Sequence, residues 1–231
     1  MKNLQSDIQG IIQNFRDTLP PEVNSMIEQG AGEISSLSIM ENALKVGDCV
    51  KDFTLNDRQG RPKQLSSYLK SGPVVLTFYR GVWCPYCNLQ LKAYNDIIDN
   101  INNLGASLIA LTPESKLGVS ALDESALPQE AKDTIIREVS FDVLYDYKNK
   151  IANQFGLVFT LPQSHRDLLS MMEFDVEKAN DENSYTFADP ATYIIGDDLR
   201  IKWCFIPNNY RKRAEPQAIL DALEKIQKDK K

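Results

Sequence analysis

The sequence predicts an α/β protein with a central mixed sheet flanked by helices and an N-terminal helical extension. Three observations predict this class. Apolar residues recur at helical spacing before residue 46, two buried-strand runs at 73–79 and 106–112 enclose a helical run, and a hairpin pattern at 191–206 precedes a final helix. Strands that alternate with helices and end in a hairpin and a helix are typical of α/β domains.

Residues 1–45 form the predicted extension. A helix over 4–19 is indicated by apolar residues three and four positions apart, and Pro20-Pro21 ends the pattern. The apolar positions are Leu4, Ile8, Ile11, Ile12, Phe15 and Leu19. A second, weaker helix is expected to end near Gly30. A stripe of this kind is typical of a core contact or of a dimer contact, so the sequence is compatible with a homodimer.

Residues 46–231 form the predicted domain, with an insertion around 157–188. The insertion is expected to contain one short helix and a loop and to help shape a pocket. In chain order, the expected elements are two short strands around a turn at Gly60, the strand at 73–79, a helix from about 85 to 104, the strand at 106–112, a helix at 128–138, a strand or loop at 140–146, a short helix at 149–156, the hairpin at 191–206 and a helix at 215–227.

Composition excludes several classes of function. The chain has 231 residues, a formal net charge of −6 and one histidine, so it shows no basic footprint for nucleic acid. No apolar run reaches the length of a membrane span, and no signal-peptide pattern opens the chain, so we expect a cytoplasmic protein that contacts no membrane. The basic cluster at 211–213 is interpreted as a solvated face. Four cysteines are too few for a disulfide scaffold, and Cys49 and Cys204 are interpreted as inert thiols packed as small hydrophobes.

The stretch TFYRGVWCPYCNLQL, at 77–91, contains a cysteine pair, Cys84 and Cys87. Cys84 follows a buried strand and opens a helix, where free backbone N–H groups and the helix dipole favour a thiolate. Pro85 suits the first helical turn. Cys87 lies one turn later and is expected to face inward, with Cys84 nearer the exposed tip. A C-x-x-C between a strand and a helix is typical of redox chemistry.

Two other interpretations of the pair are weaker. A zinc site would need two further ligands at short spacing, and no second C-x-x-C or H-x-x-H exists. A structural pair of buried thiols is less favoured, because a C-x-x-C that joins a strand to a helix in an α/β pattern is a strong signal of redox chemistry. We therefore expect no metal and no cofactor.

At these residues the chain resembles the thioredoxin-fold superfamily, and most closely the alkyl hydroperoxide reductase/thiol-specific antioxidant branch of the peroxiredoxins. The resemblance runs from about Gly47 to Ile226. GDCVKDFTL is similar to the family's first strand, with Lys51 where a proline is usual; PVVLTFYRG matches its central strand, PATYIIGDDLRIKW its late hairpin and EPQAILDALEKI its last helix. The resemblance implies a thioredoxin-like fold.

The family motif and the thioredoxin motif disagree about the attacking sulfur. Counted from Phe78-Tyr79, the peroxiredoxin motif P-x-x-x-T/S-x-x-C has Arg80 at its proline, Cys84 at its Thr/Ser and Cys87 at its attacking cysteine. The thioredoxin-type motif W-C-P-x-C instead makes Cys84 the attacking sulfur and Cys87 the resolving one. Together with the position at the helix tip, this second match leads us to expect attack by Cys84.

The resemblance implies further site residues. The run from Asp189 to Tyr193 resembles the loop that carries a cis-proline in thioredoxin-like enzymes, so Pro190 is expected to be cis and, with Thr192, to contact substrate. Trp83 and Tyr86 are expected to form an apolar rim for substrate docking. Arg80 is the first candidate for a cation at the thiolate. Arg200 and Arg213 are weaker candidates, and His165 is expected to face solvent or to be hydrogen-bonded.

The expected function is that of a thiol-dependent peroxidase. The implied cycle reduces hydrogen peroxide or an organic hydroperoxide, passes through a cysteine sulfenic acid and ends in a Cys84–Cys87 disulfide, which a thioredoxin- or glutaredoxin-type dithiol resets. Two alternatives stay open: a thiol–disulfide oxidoreductase that acts on protein disulfides, and a non-enzymatic redox sensor.

Overall fold

The computed structural model describes residues 3–115, 129–136, 138–180 and 184–229. Its strands are β1 (Thr54–Asp57), β2 (Pro62–Gln64), β3 (Val74–Phe78), β4 (Ser107–Thr112), β5 (Asp142–Tyr145), β6 (Val158–Thr160), β7 (Thr186–Ala188), β8 (Thr192–Ile195) and β9 (Ile201–Phe205). Seven of them form one sheet in the order β2-β1-β5-β4-β3-β8-β9, and β6 pairs with β7.

The helices surround this sheet. They are α1 (Leu4–Thr18), α2 (Pro21–Ser35), α3 (Ile39–Asn42), α4 (Leu65–Leu69), α5 (Pro85–Asn95), α6 (Ile98–Asn103), α7 (Gln129–Lys132), α8 (Lys150–Gln154), α9 (Gln163–Met171), α10 (Val176–Asn180) and α11 (Pro216–Lys228), and a 3-10 turn spans Tyr147–Asn149. In the described residues no helix combines the length and apolarity that a bilayer crossing requires.

Strand β3 is the centre of the sheet and leads to the cysteines. All five of its residues are buried, as expected for an apolar run without alternation. It pairs in parallel with β4 and antiparallel with β8, so the sheet is mixed, as predicted. Because β3 ends at Phe78, the loop from Tyr79 to Cys84 lies at the carboxyl end of the central strand, where α/β proteins commonly bind ligands.

The N-terminal helices share the core of the domain. Helix α1 contacts α5 and α2 contacts α9, and Leu4 and Ile8 are almost fully buried. The carboxylate of Glu215 accepts the backbone N–H groups of Leu4 at 3.0 Å and Gln5 at 2.8 Å. A carboxylate at this end of α1 complements the helix dipole and fixes the helix on the domain. Helix α2 runs on to Ser35 and passes the predicted stop at Gly30.

Several elements differ from expectation. The helix expected over 85–104 is two helices, because Ile97 leaves helical geometry (φ −109°, ψ 9°) while its side chain stays buried. The insertion holds two helices and the β6–β7 pair, whose three-residue strands are too short to show alternation. Of the helix expected over 128–138, only Gln129–Lys132 is helical in the described residues, and 128 and 137 lie outside them. Cys49 is exposed rather than packed, and Cys204 is half-buried.

Candidate active site

Hydrogen bonds fix the backbone around the cysteine pair, where the loop after β3 leads into α5. Cys84 is the N-cap of α5 with an extended conformation, and its carbonyl accepts the N–H groups of Cys87 at 3.0 Å and Asn88 at 3.1 Å. The side-chain amide of Asn88 donates to the Val82 carbonyl at 2.6 Å, which ties the loop to the helix. Gly81 has a φ of +152°, and a Cβ there would clash with the Trp83 indole. The local sequence therefore presents both sulfurs at the start of α5.

Both sulfurs are fully buried, so the expectation that Cys84 lies at an exposed tip is wrong. The insertion explains the difference. The Trp83 ring, next to Cys84, packs against Phe174 at 5.1 Å and Phe187 at 5.5 Å between ring centroids, and both phenylalanines come from the 157–188 segment. This segment therefore covers the loop that carries Cys84.

Each sulfur has its own arginine. The Arg80 guanidinium donates to Cys84 Sγ at 3.1 Å through Nη2, and the Arg213 guanidinium donates to Cys87 Sγ at 3.2 Å. The two arginines are 3% and 2% exposed, and no carboxylate in the described residues forms a salt bridge with either. Two buried cations without carboxylate partners favour a negative charge on the sulfurs.

The two thiols differ in acidity. Burial acts to raise the pKa of Cys87, but the hydrogen bond from Cys84, the charges of Arg213 and Arg80, and the backbone N–H of Arg80 outweigh it, so the Cys87 pKa lies well below its ordinary value. Burial and the hydrogen bond with Cys87 raise the pKa of Cys84 well above its ordinary value, although the charge of Arg80 opposes this. This difference favours the thiolate on Cys87 and the proton on Cys84.

A buried polar chain orients Arg213. Its Nε donates to the side-chain carbonyl of Gln90, and Gln90 Nε2 donates to Thr77 Oγ1 at 2.6 Å. The hydroxyls of Thr77 and Thr192 are hydrogen-bonded at 2.9 Å, and the Tyr94 hydroxyl lies 3.2 Å from Thr192 Oγ1. Because these four hydrogen bonds connect Arg213 in series with buried side chains, its guanidinium stays directed at Cys87.

The peptide bond before Pro190 is trans, so the expected cis-proline is wrong. The bend is made instead by a tight turn in which the Ala191 N–H donates to the Asp189 carbonyl at 2.7 Å. The Ala191 carbonyl then accepts the Phe78 N–H at 2.9 Å, which starts the β3–β8 pairing. A trans bond suffices here and is the isomer favoured at X–Pro.

Aromatic rings surround Arg80. Its guanidinium carbon lies 4.4 Å from the Tyr210 ring centroid and 5.0 Å from that of Trp83. Tyr86 packs on Tyr210 at 6.0 Å between centroids, and His165 Nε2 lies 3.1 Å from the Tyr210 hydroxyl. Burial, reinforced by nearby arginine charges, lowers the His165 pKa to about 3. The histidine is therefore hydrogen-bonded, buried and neutral.

Comparisons with known proteins identify the family of this chain. The AhpC/TSA family profile matches residues 46–204. The chain belongs to the AhpC/TSA family. A Mycobacterium tuberculosis protein named as a peroxiredoxin is 30% identical over 114 residues, which cover 49% of this chain and 67% of that protein. The thiol-disulfide oxidoreductase ResA of Geobacillus thermodenitrificans is 26% identical over 118 residues, 51% of this chain and 60% of that protein. The crystal structure of peroxidoxin BcpB from M. tuberculosis superposes with a TM-score of 0.56 at 22% identity, covering 79% of this chain and 98% of that one.

Membership of the AhpC/TSA family confirms the resemblance, the thioredoxin-like fold and the predicted class of thiol peroxidase. Helices α1 and α2 precede the matched residues. Of the predicted site residues, Cys84, Cys87, Arg80, Trp83 and Tyr86 lie together at the start of α5.

The structure gives the other predicted site residues contacts with the polar chain below Arg213 or with the backbone. Thr192 is fully buried in the chain that supports Arg213, and Pro190 shapes the turn before β8. Arg200 donates to the Gly47 carbonyl at 2.8 Å in an exposed contact.

Sequence reasoning missed Gln90 and Tyr210 and ranked Arg213 too low. The basic cluster at 211–213 was expected to be solvated, but Arg211 and Arg213 are buried and only Lys212 is exposed. No spacing rule links residue 213 to residue 87, since the contact arises where the segment before α11 crosses α5. No group of three or more His, Cys, Asp or Glu side chains in the described ranges is arranged to hold a metal ion.

Proposed function

We propose that Cys87 is the attacking sulfur of a thiol-dependent peroxidase that reduces hydrogen peroxide or organic hydroperoxides. This assignment rests on the position of the Arg213 guanidinium, which lies 3.2 Å from Cys87 Sγ. Cys87 is the thiol whose pKa is lowered. A thiolate is the attacking form of cysteine, and a buried cation stabilises both the thiolate and the negative charge that develops on the leaving oxygen. This replaces the expectation that Cys84 attacks.

In the proposed first step the Cys87 thiolate attacks one peroxide oxygen. A sulfur–oxygen bond forms, the oxygen–oxygen bond breaks, and the leaving oxygen takes a proton from water to become water or an alcohol. Sulfur is oxidised to a sulfenic acid, and the peroxide is reduced by the same two electrons. The guanidiniums of Arg80 and Arg213 carry no proton to the product, because arginine stays charged, so they act by charge and orientation.

In the second step the Cys84 sulfur attacks the Cys87 sulfenic sulfur, and the proton of Cys84 goes to the departing hydroxyl. A disulfide forms and water leaves. Cys84 is suited to this role because it is already hydrogen-bonded to Cys87. An external dithiol of the thioredoxin or glutaredoxin type then reduces the disulfide by thiol–disulfide exchange. We assign the reaction to the reducing cytoplasm on the basis of the cysteine usage of the sequence.

The test compares Cys84→Ser and Cys87→Ser with Cys49→Ser, whose exposed thiol lies outside the site and serves as the matched control. Peroxide-dependent NADPH oxidation is followed with a thioredoxin system, and sulfenic acid is trapped with dimedone and located by mass spectrometry. We expect Cys87→Ser to lose turnover, Cys84→Ser to accumulate the adduct at Cys87, and Cys49→Ser to match wild type. An adduct at Cys84 in an active Cys87→Ser protein would contradict the assignment.

A second candidate is thiol–disulfide exchange with protein disulfides. Its motivation is the similarity to ResA, together with the C-x-x-C at the start of α5. Reduction of insulin disulfides at a rate that depends on both cysteines would support it. Intact peroxidase turnover without insulin reduction would remove it.

A further inference from the structure

Arg80 contacts the sulfur that does not attack in the proposed first step. Its Nη2 donates to Cys84 Sγ at 3.1 Å, and both side chains are buried. Two aromatic rings hold this guanidinium, since its carbon lies 4.4 Å from the Tyr210 ring centroid and 5.0 Å from that of Trp83. Rings fix a guanidinium without neutralising it, whereas a carboxylate partner would offset its charge. The positive charge of Arg80 is therefore directed at Cys84.

Tyr210 is itself held by the insertion and by the N-terminal extension. Its hydroxyl lies 3.1 Å from His165 Nε2, on α9, and accepts the Nε–H of Arg211 at 3.3 Å. Arg211 in turn donates to the two carboxylate oxygens of Glu28, on α2, at 3.2 and 3.0 Å. Contacts on both sides of the hydroxyl therefore fix the Tyr210 ring over Arg80.

Tyr210 contacts the two arginines of the site with different atoms. Its ring lies over Arg80, whereas its backbone carbonyl accepts Arg213 Nη1 at 2.7 Å. A change of the Tyr210 side chain therefore removes the contact with Arg80 and keeps the carbonyl that binds Arg213. The support of the cation at Cys84 can be altered separately from the support of the cation at Cys87.

Oxidation of Cys87 changes the acidity of Cys84. In the reduced pair, burial, the hydrogen bond with Cys87 and the charge of the Cys87 thiolate raise the pKa of Cys84, while the charges of Arg80 and Arg213 lower it. The protonated sulfenic acid carries no charge, so the repulsion from Cys87 ends when it forms and the two arginines keep their charge. The pKa of Cys84 therefore falls once Cys87 is oxidised, when the Cys84 sulfur is required for attack.

We propose that Arg80 is the catalytic residue of the disulfide-forming step and that the Tyr210 ring is the positioning residue that holds it at Cys84. This rests on the proposed peroxidase function and assigns its second step. As the Cys84 proton goes to the departing hydroxyl, negative charge develops on Cys84 Sγ, and the Arg80 guanidinium stabilises it. The sulfur–sulfur bond forms, the sulfur–oxygen bond of Cys87 breaks and water leaves, so the step needs no further oxidant or reductant. Arg80 keeps its own protons throughout.

The first test measures the two steps separately by quench-flow. The reduced protein is mixed with hydrogen peroxide, and mass spectrometry of quenched samples measures the loss of the Cys87 thiol and the gain of the disulfide. We expect Arg80→Met to slow disulfide formation by about tenfold to a thousandfold, as for a charge removed at this distance, and to slow Cys87 oxidation less. Arg213→Met should show the opposite order. An Arg80→Met protein in which disulfide formation is slowed no more than Cys87 oxidation would overturn the proposal.

Variants of Tyr210 test the positioning. Tyr210→Leu removes the ring, so it should slow disulfide formation by up to about thirtyfold, the value of a buried cation–π contact, and shift the pH profile of this step upward. Tyr210→Phe keeps the ring over Arg80 and should keep most of the wild-type rate. Cys87 oxidation should stay at the wild-type rate in both variants, which also shows that they fold. Equal rates of disulfide formation in the leucine and phenylalanine variants would overturn the role of the ring.

Alkylation of Cys84 in a Cys87→Ser protein gives a readout that needs neither peroxide nor a Tyr210 variant. Serine, like the sulfenic acid, places no charge at position 87. We expect the pH midpoint of iodoacetamide alkylation at Cys84 to rise by about 1–3 units when Arg80→Met is added, with Arg80→Gln as the second variant if the first does not fold, and to rise less with Arg213→Met.

The two measurements distinguish the failure of this proposal from the failure of the peroxidase function. If no hydroperoxide oxidises Cys87, the peroxidase function is wrong, and the alkylation midpoint alone decides whether Arg80 controls Cys84. If Cys87 is oxidised but the Cys84 midpoint is the same with and without the Arg80 guanidinium, the peroxidase function stands and the role of Arg80 is overturned.

Discussion

Replacement of Arg213 by methionine tests the electrostatic control of Cys87. The change keeps most of the side-chain volume at a position that is 2% exposed and removes the guanidinium 3.2 Å from Cys87 Sγ. Burial, the largest influence on this thiol, raises its pKa, and Arg213 is the strongest charge that opposes it. We therefore expect the pKa of Cys87 to rise in Arg213→Met.

The magnitude follows from the distance. An opposite charge within about 4–6 Å shifts the pKa of a titrating group by about 1–3 units. Each unit is a tenfold change in the thiolate fraction below the pKa. Since the thiolate is the reactive form, alkylation of Cys87 at a pH below its new pKa should slow by about tenfold to a thousandfold in Arg213→Met.

The assay is the rate of iodoacetamide alkylation at Cys87, measured by mass spectrometry over a pH series in a Cys84→Ser background. Arg200→Met is the matched control, because the Arg200 guanidinium donates to the Gly47 carbonyl in an exposed contact outside the Cys84–Cys87 pair. Arg213→Lys should give an intermediate profile, since lysine keeps the charge but loses the planar fork. A pH profile unchanged in Arg213→Met would refute this account of Cys87.

Two further predictions concern stability. Gly156 has a φ of +70°, and an added Cβ would clash with the Asn42 carbonyl, so Gly156→Ala should lower the free energy of unfolding by more than about 1 kcal/mol. Gly32→Ala is the control, because Gly32 lies in helix α2 with open space around an added Cβ, and this change should leave the free energy of unfolding equal or raise it slightly. Urea denaturation measures both values. Burial raises the pKa of Asp189 to about 6 from 3.8, so between these pH values the folded state binds more protons than the unfolded state and stability falls as pH rises. Asp189→Asn should remove up to about 3 kcal/mol of this fall in the free energy of unfolding. The fall that remains is due to Asp146, whose pKa is also raised to about 6. Equal slopes of the free energy of unfolding against pH in wild type and Asp189→Asn would contradict this prediction.

The features that the sequence could predict are those that local chemistry determines. The five-residue strand β3 is an unbroken run of β-branched residues, leucine and phenylalanine. Pro85 marks the first turn of α5, whatever that helix packs against. These two signals are enough to put Cys84 at the carboxyl end of a central strand and Cys87 on the inward face of α5. The helices of the extension were predictable for the same reason, since Leu4 and Ile8 belong to an apolar stripe of regular period.

The features that the sequence could not predict depend on contacts between distant segments. Arg213 is 126 residues from Cys87, and no local pattern indicates that the segment before α11 crosses α5. The burial of Cys84 follows from the packing of Phe174 and Phe187 on Trp83. The polar run at 175–184, which follows Phe174 in the sequence, indicates a loop and gives no sign of this packing. The difference in acidity between the two sulfurs therefore depends on side-chain contacts between segments that are distant in the sequence.

The peroxiredoxin and thioredoxin motif alignments disagree about the attacking sulfur because each assigns Cys84 a different role. In the peroxiredoxin count, Cys84 occupies the Thr/Ser position, whose hydroxyl is a hydrogen-bond donor, and here the Cys84 thiol donates to Cys87. In the thioredoxin count, the same residue is a redox-active cysteine, as a disulfide with Cys87 requires. Both descriptions hold if Cys84 is first the donor that stabilises the Cys87 thiolate and then, once Cys87 is oxidised, the thiol that resolves the sulfenic acid.

Substitution of Cys84 by threonine separates these two roles. Cys84→Thr should keep the low pKa of Cys87 and lose disulfide formation, whereas Cys84→Ala should lose both. Equal alkylation profiles of Cys87 in these two variants would show that the hydrogen bond has no part in its acidity.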